Sequence, residues 1–308
     1  MFRNAAAACA CLRAVRPGAC DWVYTQEVPA GMAKWKQFEH HLIFDGPPLN
    51  RSVHALLLCL SAAVLPAQAA DDTVPEANPG RPTLSEPATL TPVGYLQFEN
   101  GALFSQESPE FSSRLGISQV TKLVVARRLQ LVLLSEPFVR SRIGNTPHEL
   151  GLSEVFAGAQ GVVVKGEGRR PTVSLSYLRR LYEGPDPELD IGTFRQGGIV
   201  LVSGELAGFH YDANMIFNEQ VEHLIRRGQF GQTLSISHPW KKFTIVGELW
   251  RFTQPLLNSY AVGNLWGVTY PVRRNLVLDA GFQHGFTATS TQWGGFAGFT
   301  YVLPRRVW

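Results

Sequence analysis

The sequence predicts an all-β protein, a transmembrane antiparallel β-barrel of about twelve strands. Three observations carry that reading. From Val93 onward, short segments alternate apolar with polar or small residues, and no helical period persists. The links between those segments are brief and long in turn. Aromatic residues gather near segment ends, and the chain closes on such a segment, "WGGFAGFTYVL", Trp293 to Leu303. Chain ends usually fray into polar tails; a greasy last strand has a reason to stay ordered if it must pair back with the first.

Composition agrees. Charged residues make up 17% of the 308, against a typical ~25%. One apolar run near the start, Val53 to Leu65, is too short to span a bilayer as a helix. It follows Arg51 and precedes Ala67-Gln68-Ala69, small residues of the kind a signal peptidase reads. Residues 49–69 therefore read as a secretory signal cut after Ala69. Residues 1–48 have no convincing period and read as a mis-annotated upstream extension, with Leu49 as the expected true start. All four cysteines (Cys9, Cys11, Cys20 and Cys59) precede the expected cut, which leaves no disulfide framework or thiol nucleophile downstream. Beyond the cut, 28 Lys/Arg and 25 Asp/Glu fall to 22 and 21. That balance gives no basic face for a nucleic-acid partner.

Residues 70–92 hold five prolines among acidic and small polar residues, and read as an extended, mobile periplasmic leader. The barrel then occupies 93–308. Strands are expected near 93–104, 112–125, 129–138, 151–164, 172–182, 193–204, 207–218, 229–238, 242–253, 259–271, 274–286 and 291–303. The alternation is plain in "FHYDANMIFN", where Phe209, Tyr211, Ala213, Met215 and Phe217 oppose His210, Asp212, Asn214 and Asn218. It blurs around Lys122. Links after even strands are short ("ARR", "GEL", "PWKK", "PVRR"), whereas those after odd strands run to "RSRIGNTPHE", "EGPDPELDI" and "NEQVEHLIRRG". Short turns at one end and long loops at the other characterise membrane barrels. A soluble sandwich would alternate too, with its apolar face inward, but has no reason to keep loop lengths in phase.

The inward face collects Glu99, Glu136, Glu154, Arg180, His210, Asp212, Asn214, Glu248 and Asp279 as lumen-lining candidates, with Gln97, Gln160 and Gln283. Unpaired charges without water are costly, so the lumen is expected to be either hydrated, its charges tuning selectivity, or packed with ion pairs. Catalytic residues, metal ligands and cofactors are not indicated. His210 and Asp212 share a face, but two strand residues lie ~7 Å apart, too far for a direct bond unless the side chains reach. "GEGRRP" lacks the Lys-Ser/Thr and helix of a phosphate loop. The glycines of "WGGFAGF" read as strand bends.

The last strand, Gly298-Phe299-Thr300-Tyr301-Val302-Leu303, resembles the C-terminal signal read by the outer-membrane barrel assembly machinery, although Pro304 to Trp308 departs from it. Signal, acidic leader, modest strands and "GFTYVL" together resemble the bacterial outer-membrane transporter-like family of the MetA pathway of phenol degradation, over Thr91 to Leu303. The resemblance implies an outer-membrane location, lipid contact, and passage of small solutes, aromatic or hydrophobic ones among them. It offers no catalytic residues. The rivals are a sealed structural or adhesion barrel with binding loops, and a barrel hydrolase.

Overall fold

The computed structural model describes residues 74–307 apart from 110, 145, 184–193 and 223–224. The expected upstream extension, signal segment and cut after Ala69 lie outside the described residues, as does Trp308. The described chain has thirteen strands: β1 (Leu96–Gln106), β2 (Ser113–Ala126), β3 (Leu129–Ile143), β4 (Thr146–Leu150), β5 (Glu154–Val164), β6 (Thr172–Glu183), β7 (Phe194–Leu206), β8 (Phe209–Glu222), β9 (Ile225–Trp240), β10 (Phe243–Gln254), β11 (Ser259–Arg273), β12 (Leu276–Gly285) and β13 (Trp293–Val302). Each neighbour pair is antiparallel, and the sheet closes where β1 pairs with both β2 and β13. β4 pairs only with β3, extending a loop. The remaining twelve strands form the wall, each close to its expected position.

Closure answers the question raised by the C-terminal strand. Ten residues of β13 pair with β1, from Gln97 opposite Val302 to Gln106 opposite Trp293. The tail beyond it stays attached: the Leu303 amide donates to the Leu96 carbonyl at 2.9 Å and the Val307 amide to Gly94 at 2.8 Å. Closure leaves none of the twelve wall strands with an open edge, as a sheet in hydrocarbon requires.

Turn chemistry fixes one end. β7 and β8 are joined by Ala207 and Gly208, both at positive φ (52° and 83°), the conformation whose twist suits a two-residue hairpin. Arg127-Arg128 and Lys241-Lys242 make equally tight links. At the other end, the link expected over 218–228 is mostly strand: β8 runs to Glu222 and β9 begins at Ile225. This hairpin simply extends further, because Val221–Arg226 and Gln220–Arg227 continue the ladder.

The outer wall is apolar. Met215, Phe217, Leu249, Trp266 and Phe282 are each about half exposed or more (49–61%). A patch that large is not left facing water by a monomeric soluble protein. On β8 it runs from Phe209 to Phe217, eight steps of ~3.4 Å on a tilted strand, or roughly 20 Å of height. Trp240, Tyr270 and Tyr301 lie at the short-turn end of the wall, Phe243 and Tyr270 in ring contact there at 5.3 Å. Tyr182 and Phe286 stand exposed at the other end. The alternation that put apolar residues on one face therefore put them outside, as a barrel in hydrocarbon requires.

Candidate functional site: a plugged lumen with an apolar cup

The interior is set by the segment before β1. Residues 74–92, expected as a mobile leader, instead run through the barrel. The segment enters at the short-turn end, where the Ala77 amide donates to the Arg274 carbonyl at 2.8 Å. It crosses the lumen and returns to the same end, where the Gly94 amide reaches the Val124 carbonyl at 2.9 Å. Prolines deny such a segment a helix or a ladder of its own. Its polar groups are satisfied by the wall.

Hydrogen bonds tie the leader to ten of the twelve wall strands. Three carboxylates are the principal anchors. Glu248 on β10 uses both oxygens: Oε2 accepts from the Leu84 amide at 2.8 Å, and Oε1 from the Ser85 amide and hydroxyl, each at 2.6 Å. Asp279 on β12 receives the Arg81 guanidinium through two nitrogens, at 3.1 and 3.2 Å. Glu99 on β1 accepts from the Gly80 amide at 3.2 Å and pairs with Lys122 Nζ at 2.7 Å. Lys122 also holds Glu86 of the leader at 2.8 Å. Asn214 on β8 bonds the leader backbone in both directions, accepting from the Glu86 amide at 2.7 Å and donating to its carbonyl at 3.0 Å. Gln160 donates to the Pro87 carbonyl and Ser174 to the Ala88 carbonyl, while Ser203 accepts from the Ala88 amide.

All nine lumen-lining candidates take the interior face. Four of them, Glu99, Asn214, Glu248 and Asp279, hold the leader. Glu136 pairs with Arg114 at 2.6 Å and Glu154 with Arg180 at 3.1 Å. His210 and Asp212 do meet: Nε2 lies 3.2 Å from the Asp212 carboxylate, because both side chains lean toward each other. The backbone spacing alone suggested otherwise. Nδ1 of the same ring lies 2.7 Å from Glu205, and Ser203 donates to Asp212 rather than to the ring. Both imidazole nitrogens face carboxylates, so neither is free to take a serine proton, as a Ser-His-Asp triad needs.

Two paired glycines show how tightly the leader is seated. Gly101 on β1 lies opposite Gly298 on β13. A Cβ at Gly101 would fall 2.2 Å from the Arg81 guanidinium, and one at Gly298 2.6 Å from it. The pair forms a slot for Arg81. Gly298 is therefore a seat for a side chain rather than only a bend in a glycine-rich strand.

Beyond the leader the lumen changes character. A cavity of about 300 Å³ is walled by Val132, Leu134, Leu178, Ile199, Leu201, Ile216 and Phe252. Its floor includes Leu84 and Glu86 of the leader, with Lys122 and Gln160 at its polar edge. Phe194 lines it nearer the long-loop end and rests on Phe156 at 4.6 Å between ring centres. Instead of a hydrated, charge-lined bore, the molecule has a polar half filled by its own chain and an apolar cup above it. Among the described residues no group of His, Cys, Asp or Glu side chains is arranged to hold a metal.

Comparison with solved structures places this geometry. An outer membrane channel from Pseudomonas putida F1 superposes with a TM-score of 0.51 over 74% of this chain and 100% of that one, at 12% identity. The likeness is one of fold. The NanC porin matches 68% of this chain and 99% of its own at 9% identity and a TM-score of 0.45. No family model matches the sequence, and no curated protein matches it.

Proposed function

We propose that the protein is an outer-membrane channel for small apolar solutes, aromatic ones included, which enter the cup from the long-loop side and pass when the leader yields. The observation that carries this reading is the cup itself. A cavity of this size walled mainly by apolar side chains suits a one- or two-ring molecule, since apolar pockets with few polar groups at one edge are the usual form of small-ligand sites. The apolar outer wall supports placement in a bilayer, and the exported-precursor pattern over 49–69, with a cut after Ala69, supports the outer membrane. The last strand would be the segment presented to the assembly machinery, and the Pseudomonas neighbour, named a channel, is alike in kind. No hydrolysis is assigned, because His210 has no serine to activate.

A sealed barrel that binds through its loops is the second reading, favoured by the leader's occupation of the lumen. Titration of folded protein with a naphthylamine dye separates the two. Channel function predicts saturable fluorescence enhancement, weakened at least tenfold by Leu178→Asp, with uptake of the same dye into proteoliposomes. A dye that binds wild type and Leu178→Asp alike, or not at all, would remove the cup from the mechanism.

A further inference from the structure

The outer wall carries charge only at its rims. In β3, Arg140 and Arg142 face outward near the long-loop end, opposite Leu115 and Ser113 of β2. In β6, Arg179 faces outward between the interior residues Leu178 and Arg180. Arg226 on β9 and Arg251 on β10 do the same, and Glu219 on β8 is the one acid among them. Arg273, beside the short turn after β11, faces outward at the opposite rim. Between the two rims, no Asp, Glu, Lys or Arg of the described residues stands on the outer wall. Charge facing hydrocarbon is costly at mid-depth and tolerated near the interface, so this distribution marks where the headgroup layer begins.

The sign and setting of the long-loop rim carry the argument further. Among the described residues the outward charges named at this rim are five arginines and one acid, and the acid is already engaged: Glu219 accepts from Gln196 at 2.9 Å and pairs with Arg226 at 3.4 Å. Gln196 in turn accepts from the Tyr177 hydroxyl at 2.8 Å, which fixes a polar row across β6, β7 and β8 beside Arg179. Arg251 lies against the Tyr260 ring at 4.3 Å, its guanidinium held by an aromatic of the kind that sits at headgroup depth. Just along from Arg179, a hollow of about 290 Å³ is lined by Arg180, Leu181, Tyr182, Arg195 and Val221. It lies on the loop side of the Arg179–Gln196–Glu219 row and adds the exposed Arg195 to the rim; on the bilayer side of that row Leu175, Tyr177 and Leu249 present an apolar surface.

We propose that this rim, from β6 to β10, binds a phosphorylated lipid of the outer leaflet, with Arg179 and Arg251 on its phosphates and the exposed wall on the bilayer side of them, Leu175, Tyr177 and Leu249, against its apolar part. Guanidinium groups match phosphate oxygens with paired donors, and a preorganised row spares the ordering cost that long side chains otherwise carry. The inference rests on the placement of the long loops outside the cell.

Native mass spectrometry of the detergent-purified full barrel, titrated with bisphosphorylated lipid A or its dephosphorylated form, tests it. Wild type is expected to retain the phosphorylated lipid at least tenfold more strongly. Arg179→Gln/Arg251→Gln should abolish that preference, and Lys241→Gln/Lys242→Gln at the other rim should keep it. Glu219→Gln, which removes the competing acid, should tighten binding, a gain that damaged folding cannot produce. Equal retention of both lipids by wild type, or equal loss in both double variants, overturns the proposal. Insertion into liposomes, scored on the same samples by heat-modifiable migration, shows separately whether the membrane placement holds.

Discussion

Replacing Glu248 by alanine should free the leader, and the structure gives the size of the effect. The side chain is 3% exposed and accepts three hydrogen bonds from Leu84 and Ser85, two of them from backbone amides. A hydrogen bond to a charged acceptor contributes ~1.5–3 kcal/mol, and an amide left buried without a partner costs ~1–3 kcal/mol. Water entering from the cup would satisfy part of the loss, so about 3 kcal/mol is a reasonable net figure, or roughly a hundredfold in the fraction of molecules with the leader detached. The readout exploits the cysteine distribution. Protein expressed from Ala70 has no thiol, so Ala88→Cys, at a site of 0% exposure, becomes a single reporter of detachment. Where opening is fast and labelling slow, the rate of thiol labelling tracks the open population. Glu248→Ala should raise it by one to two orders of magnitude, while Glu205→Gln at the exposed rim should leave it unchanged. Labelling within threefold of the parent would refute the view that this carboxylate holds the leader, whatever its contacts.

Two other perturbations probe the same seat. Gly101→Ala places a methyl where the Arg81 guanidinium lies, so Arg81 must withdraw from Asp279; Ala88→Cys labelling should rise about tenfold, and Gly295→Ala, whose Cβ meets nothing within 4 Å, should leave it at the parent rate. Lys122→Met strands Glu86 and Glu99 against each other and should lower stability by about 3–5 kcal/mol, seen as a fall in the temperature of heat-modifiable migration. Adding Glu86→Gln to that variant should recover part of the loss, and no recovery would mean that Glu86 and Lys122 are not coupled.

The wall was legible in the sequence because a period of two reports which side of a sheet a residue takes, and nothing else is needed to separate lipid from lumen. That is why spacing alone places Glu99, Glu248 and Asp279 on the inward face. Lys122 blurred the pattern for a related reason. It is a cation on the interior face of an otherwise apolar-rich strand, flanked by register shifts at Ile117/Gln119 and Val124/Ala126, and only its two carboxylate partners explain it. One partner comes from the neighbouring strand β1, two residues along from Gln97 opposite Lys122, and the other from the leader.

What alternation cannot report is what stands opposite an inward residue. The leader's sequence has no period, and proline-rich polar composition reads as disorder because it buries too little apolar surface to fold alone. Yet it does not fold alone. Its amides, its Ser85 side chain and the Arg81 guanidinium are the complement of a ring of buried wall acceptors. Ser85 is 0% exposed and its partner Glu248 3%, so each is intelligible only with the other in place. The same complementarity explains where the cup lies. Once polar wall positions have been matched by the leader or by one another, the interior positions left over include Val132, Leu134, Leu178, Leu201 and Phe252. The apolar site is thus the part of the lumen that the leader has no groups to satisfy, and a solute that displaced the leader would have to offer polar partners it does not need for the cup. Detachment of the leader and occupation of the cup therefore call for different chemistry, and dye affinity should be nearly the same in Glu248→Ala as in wild type even as leader labelling rises.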